Sequence, residues 1–324
     1  MIIQDELYGT FEIEPVLEEL LKSNAIQRLH GVHQGGASYL VNSRWNLTRY
    51  EHSVGVMLLV RTLGGSLEEQ IAGLLHDVSH TAFSHVVDFV TKNQDESYHE
   101  DIFLSVIESS TIPTILKKYG YNDYSSLLDD SNWRILEQPA PHLCADRIDY
   151  TLRDLHRHGT ITDTEVQQIL TNLTVEHGVV AFKDTESAEL FVELYYKEVI
   201  DYFMDPLNIY ANDQLTKVLR GAVQGEVINM DDFMGTDEEL LSKVRENGNE
   251  KLIDTLHQIH SNVHLETTLE KSDIYRKNKV RMIDPAVKVE GTIKRASEVS
   301  KIVENMNEQA YERTVKGVGV RILL

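Results

Sequence analysis

The chain has 324 residues, of which 41% are hydrophobic; this is enough for a substantial core and, by length alone, for about two domains. Its 31 basic and 52 acidic residues give a formal net charge of −21, which argues against a general nucleic-acid surface or an anionic-membrane surface. The single cysteine, Cys144, excludes an intrachain disulfide, and together with an acidic N-terminal segment unlike a signal peptide it predicts a cytoplasmic protein with no membrane span.

Apolar residues at helical spacing predict a mainly α fold. The expected helices cover 16–23, 51–63, 67–75, 101–108, 145–158 and 188–203. Alternation around a His-Gly pair predicts a short hairpin over 173–184, and β-branched residues predict a few strands within 273–289 and 314–324. We expect one large domain over 1–210 and a smaller α+β extension over 211–324 packed on it, with the boundary at the polar stretch 210–214.

The segment LLHDVSHTAFSHVVD, residues 74–88, concentrates titratable side chains in an apolar stretch that we predict to be helical. His76 and His80 would share one face of that helix because they are four residues apart. The adjacent His76 and Asp77 are costly to bury unless they are paired or bind a metal. A purely structural core would not accept so many polar groups, so the segment predicts a functional site.

Two further residues complete a candidate metal site with His76 and Asp77. They are His52, in RYEHSVGV, and Asp146, in LCADRIDYTLRD. A mixed set of imidazole and carboxylate ligands suits a divalent ion such as Mn, Fe, Co, Ni, Zn or, less well, Mg. Four protein ligands leave room for a phosphate oxygen and for a water molecule, which the ion would make acidic enough to attack near neutral pH.

The order His52, His76-Asp77, Asp146 resembles the H…HD…D pattern of the HD superfamily. Longer segments, including DELYGTFEIEPVLEELLKSNAIQRLHGVHQGGASYLV and ADRIDYTLRD, resemble its dNTP triphosphohydrolases, the subgroup of bacterial dGTP triphosphohydrolases and the vertebrate sterile-alpha-motif/HD enzyme. The resemblance is strong over 3–158 and thins toward the C-terminus. It implies a helical HD-domain bundle with a smaller α/β C-terminal part, a homo-oligomer, and hydrolysis of a dNTP to deoxynucleoside and triphosphate.

The resemblance also implies roles for residues around the metal. Arg49 precedes His52 by about one helical turn, so its guanidinium can grip a phosphate oxygen next to the metal. His85 and Asp88 are three residues apart, so the carboxylate can orient the imidazole, while His99, supported by Asp88, is the favoured acid or phosphate donor. The expected catalytic residues are His80, His85, Asp88 and His99. The expected substrate-binding residues are Gln34, Arg49, Arg147, Tyr150, Asp154 and Tyr202.

Two positions depart from the subgroup. Leu194 stands where the subgroup usually has an arginine that reaches the phosphates, and Met204 stands where a histidine is common. Loss of a cation weakens the case for a triphosphate more than the case for phosphohydrolysis. A phosphatase of nucleoside monophosphates or other small phosphate esters therefore stays open, as does a nucleotide-sensing protein without turnover. Asp149 and Arg153 are expected to form a structural ion pair on the back of the 145–158 helix.

Overall fold

Helices dominate the fold, as the spacing of apolar residues predicts. A computed structural model describes residues 1–93, 95–277 and 279–323, and fifteen α-helices lie within these ranges. They are α1 (Pro15–Leu21), α2 (Asn24–Arg28), α3 (Arg49–Thr62), α4 (Leu67–Leu75), α5 (Val86–Thr91), α6 (Tyr98–Ser109), α7 (Ile112–Lys118), α8 (Ala145–His158), α9 (Asp163–Asn172), α10 (Thr185–Tyr196), α11 (Pro206–Gln224), α12 (Asp237–Asn247), α13 (Glu250–His257), α14 (Ala296–Val299) and α15 (Lys301–Lys316). None of them has the length and apolarity that a membrane crossing requires.

Three small sheets accompany the helices in the described part of the chain. Their strands are β1 (Ile2–Asp5), β2 (Gly9–Glu12), β3 (Leu173–Glu176), β4 (Val179–Phe182), β5 (His264–Thr267), β6 (Ile274–Arg276), β7 (Ala286–Val289), β8 (Thr292–Arg295) and β9 (Val318–Leu323). The strands β1 and β2 pair alone, β3-β4-β7-β8 form a mixed sheet in which β4 and β7 are parallel, and β5-β9-β6 form an antiparallel sheet. The fold is mainly α with short strands, as predicted.

The helices α3, α4 and α8 pack together and form the frame of the site. Thr48 and Glu51 form a capping box that begins α3, and α3 is buried along most of its length, including Val56 and Leu59. Ile148 and Leu152 of α8 join the same core cluster. Because their apolar faces are fixed in this core, the polar side chains on the remaining faces are held at defined positions.

The prediction of one helix over 74–88 is wrong. Helix α4 ends at Leu75, and the chain passes through turns before α5 begins at Val86. Segments from much later in the sequence hold this connection, because Ala82 N donates to Phe233 O at 2.8 Å and Phe83 N donates to an Asp237 carboxylate oxygen at 2.6 Å. These tertiary hydrogen bonds replace the helical ones, so His76 and His80 do not share a helix face.

The hairpin over 173–184 is confirmed. Val175 pairs with Val180, and the turn residues His177 and Gly178 have φ values of 54° and 77°, as a two-residue hairpin turn of this kind requires. The predicted helix over 188–203 is confirmed as α10, which continues as a π-helical stretch over Lys197–Tyr202.

The C-terminal strands are confirmed as β6, β7 and β9, although residues 314–316 still belong to α15. Asn278 and Leu324, which fall in the predicted strand regions, lie outside the described residues. The polar stretch 210–214, which suggested a domain boundary, lies within α11, so the division near residue 210 stays a prediction.

Candidate metal centre and active site

The four residues expected to bind metal all line one cavity of about 650 Å³. Asp146 Oδ1 lies 3.0 Å from His52 Nε2 and 3.7 Å from His76 Nε2. Asp77 faces the same point, with one oxygen 3.7 Å from His52 Nε2 and the other 3.5 Å from His76 Nε2. The structure therefore brings together residues that are up to 94 positions apart in sequence, as the metal-ligand prediction requires.

The chemistry of this cluster fits a divalent ion. His76 Nδ1 donates to the Gly73 carbonyl oxygen at 2.7 Å, which leaves Nε2 as the free lone pair. That Nε2 is buried and has no hydrogen-bond partner among the described residues. Ligand atoms of His52, His76 and Asp146 all lie within 4.8 Å of one another, a spacing that one ion with N and O ligands can span.

Asp149 orients the His52 imidazole by a hydrogen bond to Nδ1, the ring nitrogen that faces away from the metal cluster. The sequence interpretation missed this role. Asp149 Oδ2 lies 2.8 Å from His52 Nδ1, so the imidazole presents Nε2 to the site. The predicted ion pair with Arg153 is present at 2.9 Å, and Tyr8 OH donates to Asp149 at 2.7 Å. The sequence contained one indication of this role. Asp146 and Asp149 are three residues apart on α8, so both carboxylates lie on the helix face that contacts His52.

Arg49 lies inside the cavity, next to the metal cluster. Its Nη1 donates to Asp77 Oδ2 at 2.6 Å, and its Nε donates to the Ser84 hydroxyl at 2.9 Å. Burial favours the neutral acid, yet the adjacent Arg49 charge holds the pKa of Asp77 well below its ordinary value. Arg49 therefore keeps Asp77 ionised and has further N–H groups for a ligand.

Three histidines extend the site beyond Asp77. His80 Nε2 lies 3.1 Å from Asp77 Oδ1, and the His80 ring stacks on His99 with the centroids 4.0 Å apart. Burial lowers the pKa of His99 to about 4 and that of His80 well below its usual value, so both imidazoles are neutral near pH 7. Asp88 Oδ2 lies 3.3 Å from His85 Nδ1, and it therefore orients His85 and not His99.

The six residues expected to bind substrate all line this cavity, together with the three histidines. Gln34 and Asp154 are neighbours, with Gln34 Nε2 3.5 Å from Asp154 Oδ2. The Tyr202 hydroxyl lies 3.1 Å from that of Ser38. Arg147 forms an ion pair of 3.1 Å with Glu137, another residue that lines the cavity. The expected substrate set is Gln34, Arg49, Arg147, Tyr150, Asp154 and Tyr202.

Further residues that line the cavity were not among those predicted from the sequence. Glu137 lies in an irregular stretch without periodicity, and burial raises its pKa to about 7. Lys279 and Arg281, in RKNKVRMIDP, reach the cavity from the C-terminal part of the chain. Leu194, at the position where the resemblance implies an arginine, is 1% exposed in the core and does not line the cavity. An arginine there would have to be buried.

Comparisons with known proteins identify the family. Residues 49–154 match the HD domain. The chain is 51% identical to Bacillus subtilis YdhJ over 323 residues, covering 100% of this chain and 99% of that protein. It is 33% identical to the metal-dependent phosphohydrolase cns2 of Cordyceps militaris over 262 residues, covering 77% of this chain and 74% of the relative.

Two more distant matches complete the comparison. The Danio rerio deoxynucleoside triphosphate triphosphohydrolase SAMHD1 is 26% identical over 220 residues, which are 52% of this chain and 35% of that protein. The fold resembles a crystal structure of a hypothetical protein from Aquifex aeolicus, with a TM-score of 0.71, 22% identity, and 97% and 99% of the two chains covered. The chain therefore belongs to the HD family and is a metal-dependent phosphohydrolase that uses a divalent metal.

Proposed function

We propose that this phosphohydrolase hydrolyses deoxynucleoside triphosphates to deoxynucleoside and triphosphate. One observation carries the proposal: a single cavity of about 650 Å³ joins the metal cluster, three histidines and four cations. The chain has a net charge of −21, and cations that line one cavity of such a chain suit a ligand with several phosphate charges. The four cations are Arg49, Arg147, Lys279 and Arg281.

The relatives support a nucleotide substrate without fixing it. The matched SAMHD1 proteins are named as deoxynucleoside triphosphate triphosphohydrolases, and they align with about half of this chain. A homo-oligomer and a cytoplasmic location are further expectations from the sequence that we retain as proposals.

In the proposed mechanism, His52, His76, Asp77 and Asp146 would hold the divalent ion. A divalent ion at that position supplies Lewis-acid activation of water and of a phosphoryl oxygen. Arg49 keeps Asp77 ionised and offers its remaining N–H groups to the phosphate that is attacked. These side chains would fix the reacting phosphorus beside the metal cluster and stabilise the charge that develops on its oxygens.

The histidines act on the other side of the phosphate. Because its imidazole is neutral near pH 7, His99 offers an N–H donor to a phosphate oxygen without a protonation step. The N–H of His80 is donated to Asp77 at 3.1 Å, so His80 orients Asp77 instead. His85 has a carboxylate partner in Asp88, so we assign to it the proton that the leaving oxygen requires. This assignment revises the expectation that Asp88 supports His99.

Replacing Asp88 with asparagine is expected to slow turnover by about 10²-fold while leaving the bound metal unchanged. The amide keeps the shape of the side chain and can still accept from Tyr98 N, as Asp88 Oδ1 does at 3.0 Å, but it removes the negative charge beside His85. Steady-state kinetics and metal analysis of the same preparation give the two readouts. The exposed Asp101→Asn on α6 is the matched control, and metal loss in Asp88→Asn would contradict the assignment.

A phosphatase of nucleoside monophosphates is the second candidate, favoured by two observations. Leu194 occupies the position where the resemblance implies a phosphate-binding arginine. Arg281 lies 3.7 Å from Glu96, and this carboxylate partly neutralises the positive charge that Arg281 offers to a substrate. A panel of dNTPs and nucleoside monophosphates, incubated with Mn²⁺ or Mg²⁺, separates the two. Inorganic triphosphate from dNTPs supports the first proposal, orthophosphate from monophosphates supports the second, and binding without any product would indicate a sensor.

Arg281→Gln is expected to raise KM for a dNTP by about tenfold, the effect of losing one charge-assisted hydrogen bond, and to change KM for a monophosphate less. The Arg281 guanidinium lies 5.5 Å from the centre of the Phe203 ring at the cavity wall, where it can meet the far end of a phosphate chain. Lys294→Gln, on the exposed face of β8, is the control. Equal changes in KM for both substrates would contradict this role.

A further inference from the structure

The connection between α4 and α5 contains two consecutive residues with left-handed backbone conformations. Phe83 and Ser84 have φ values of 59° and 51°, a region that residues with a side chain enter only at a cost. Both residues are buried, and they lie in sequence between two histidines of the cavity, His80 and His85. Such a conformation persists where tertiary contacts hold it, and it is frequent at active sites. The contacts that hold this turn therefore bear on the site.

Asp237, the first residue of α12, makes two of these contacts. It is 1% exposed, and its Oδ1 accepts from Phe83 N at 2.6 Å. Its Oδ2 accepts from His33 N at 3.0 Å and lies 2.8 Å from His33 Nδ1. One buried carboxylate therefore joins α12 to the left-handed turn and to the loop that carries Gln34.

The hydroxyl of Ser84 connects the turn to the arginine beside the metal cluster. Ser84 Oγ accepts from Arg49 Nε at 2.9 Å and donates to the His33 carbonyl oxygen at 2.7 Å. Arg49 Nη1 in turn donates to Asp77 at 2.6 Å. Hydrogen bonds from two nitrogens of a planar guanidinium fix its orientation. The direction of the remaining N–H groups of Arg49 therefore depends on where the Ser84 hydroxyl is held.

The turn has two further attachments that do not involve Asp237. Ala82 N donates to Phe233 O at 2.8 Å, and Thr81 Oγ1 donates to Ser84 O at 3.0 Å. Because these bonds remain when Asp237 is replaced, we expect the turn to stay packed while its last two residues lose the contact that fixes their conformation. The position of Ser84 Oγ is then what changes.

We propose that Asp237 and Ser84 are positioning residues for the arginine that binds the attacked phosphate. Asp237 holds the left-handed turn, and the Ser84 hydroxyl sets the orientation of the Arg49 guanidinium toward the substrate. Neither Asp237 nor Ser84 lines the cavity, so both act through Arg49. The inference rests on the proposed function, since it assumes that Arg49 binds that phosphate. It adds Asp237, a residue outside the range 49–154 that matches the HD domain.

The kinetic test is a double-mutant cycle between Ser84→Ala and Arg49→Lys. Lysine keeps a positive charge beside Asp77 but cannot donate to the Ser84 hydroxyl as Arg49 Nε does. We expect Ser84→Ala alone to lower kcat/KM for a dNTP by about tenfold, as for one lost charge-assisted hydrogen bond, with the metal content unchanged. In the Arg49→Lys background, we expect the same change to lower kcat/KM by less than about twofold. Equal losses in both backgrounds would show that Ser84 acts independently of Arg49 and would overturn the proposal.

Binding of inorganic phosphate in the presence of Mn²⁺, measured by calorimetry, gives a readout that does not depend on turnover. We expect the dissociation constant to rise by about tenfold in Ser84→Ala and in Asp237→Asn, since the amide of asparagine sets a donor against His33 N. Glu238→Gln, on the exposed face of α12, is the control and should bind phosphate as the wild type does. Unchanged binding in a folded form of either variant would overturn the proposal. If phosphate binding falls as expected but no nucleotide is hydrolysed, the proposed substrate fails and the positioning role stands.

Discussion

Replacing Asp77 with alanine is expected to remove the bound divalent metal and to reduce phosphohydrolase activity to the rate without enzyme. Asp77 has one oxygen near each of the two histidines, His52 and His76, and is the partner of Arg49 at 2.6 Å. Its loss takes a charged ligand from the ion and leaves a buried guanidinium unpaired. The measurement is metal content per chain by plasma mass spectrometry, together with the rate of phosphate release.

The effect of losing the buried Asp77–Arg49 ion pair on folding must be distinguished from the effect of losing the metal on activity. Removing one partner of a buried ion pair destabilises a protein by about 3 to 5 kcal/mol, so the circular dichroism and thermal unfolding of Asp77→Ala need to be measured. His52→Ala is the companion variant, because it removes a ligand without exposing the Arg49 charge. Full activity or full metal content in a folded form of either variant would contradict the proposed ligand set.

Asp149→Asn is expected to weaken metal binding by about 10- to 100-fold and to destabilise the fold by about 3 to 5 kcal/mol. Asp149 is fully buried, orients His52 at 2.8 Å and pairs with Arg153 at 2.9 Å. The amide cannot balance the Arg153 charge, and it no longer selects the tautomer of His52 that leaves Nε2 free. Metal titration and thermal unfolding measure the two effects separately.

A matched control for Asp149→Asn exists at the surface, where His156 of α8 contacts the first residue of α9. His156 lies 2.8 Å from Asp163, whose side chain is 91% exposed, so Asp163→Asn also removes a carboxylate from a histidine. We expect that change to cost less than about 1 kcal/mol because exposed ion pairs are weak, and to leave metal affinity unchanged. Similar effects of the two substitutions would show that Asp149 has no special role at the site.

The sequence predicted best where local pattern and tertiary structure agree. Helix α8 has the predicted bounds, 145–158, because its apolar face packs in the core while Asp146 and Asp154 face the cavity. The hairpin around Gly178 was equally predictable, since its turn requires residues that accept a positive φ.

Prediction failed where distant segments decide the conformation. The connection after α4 is non-helical because Phe233 and Asp237 bind its backbone, and no local pattern reports such partners. The same limit applies to Arg281, which reaches the cavity from 127 positions beyond the matched HD domain's last residue, Asp154.

Anomalous diffraction from crystals grown with Mn²⁺ tests the central claim most directly. We expect one strong anomalous peak about 2.0 to 2.3 Å from nitrogen or oxygen atoms of His52, His76, Asp77 and Asp146. A peak bound instead by the neighbouring cluster of His80, His85 and His99, or no peak at the four residues in a catalytically active preparation, would contradict the account.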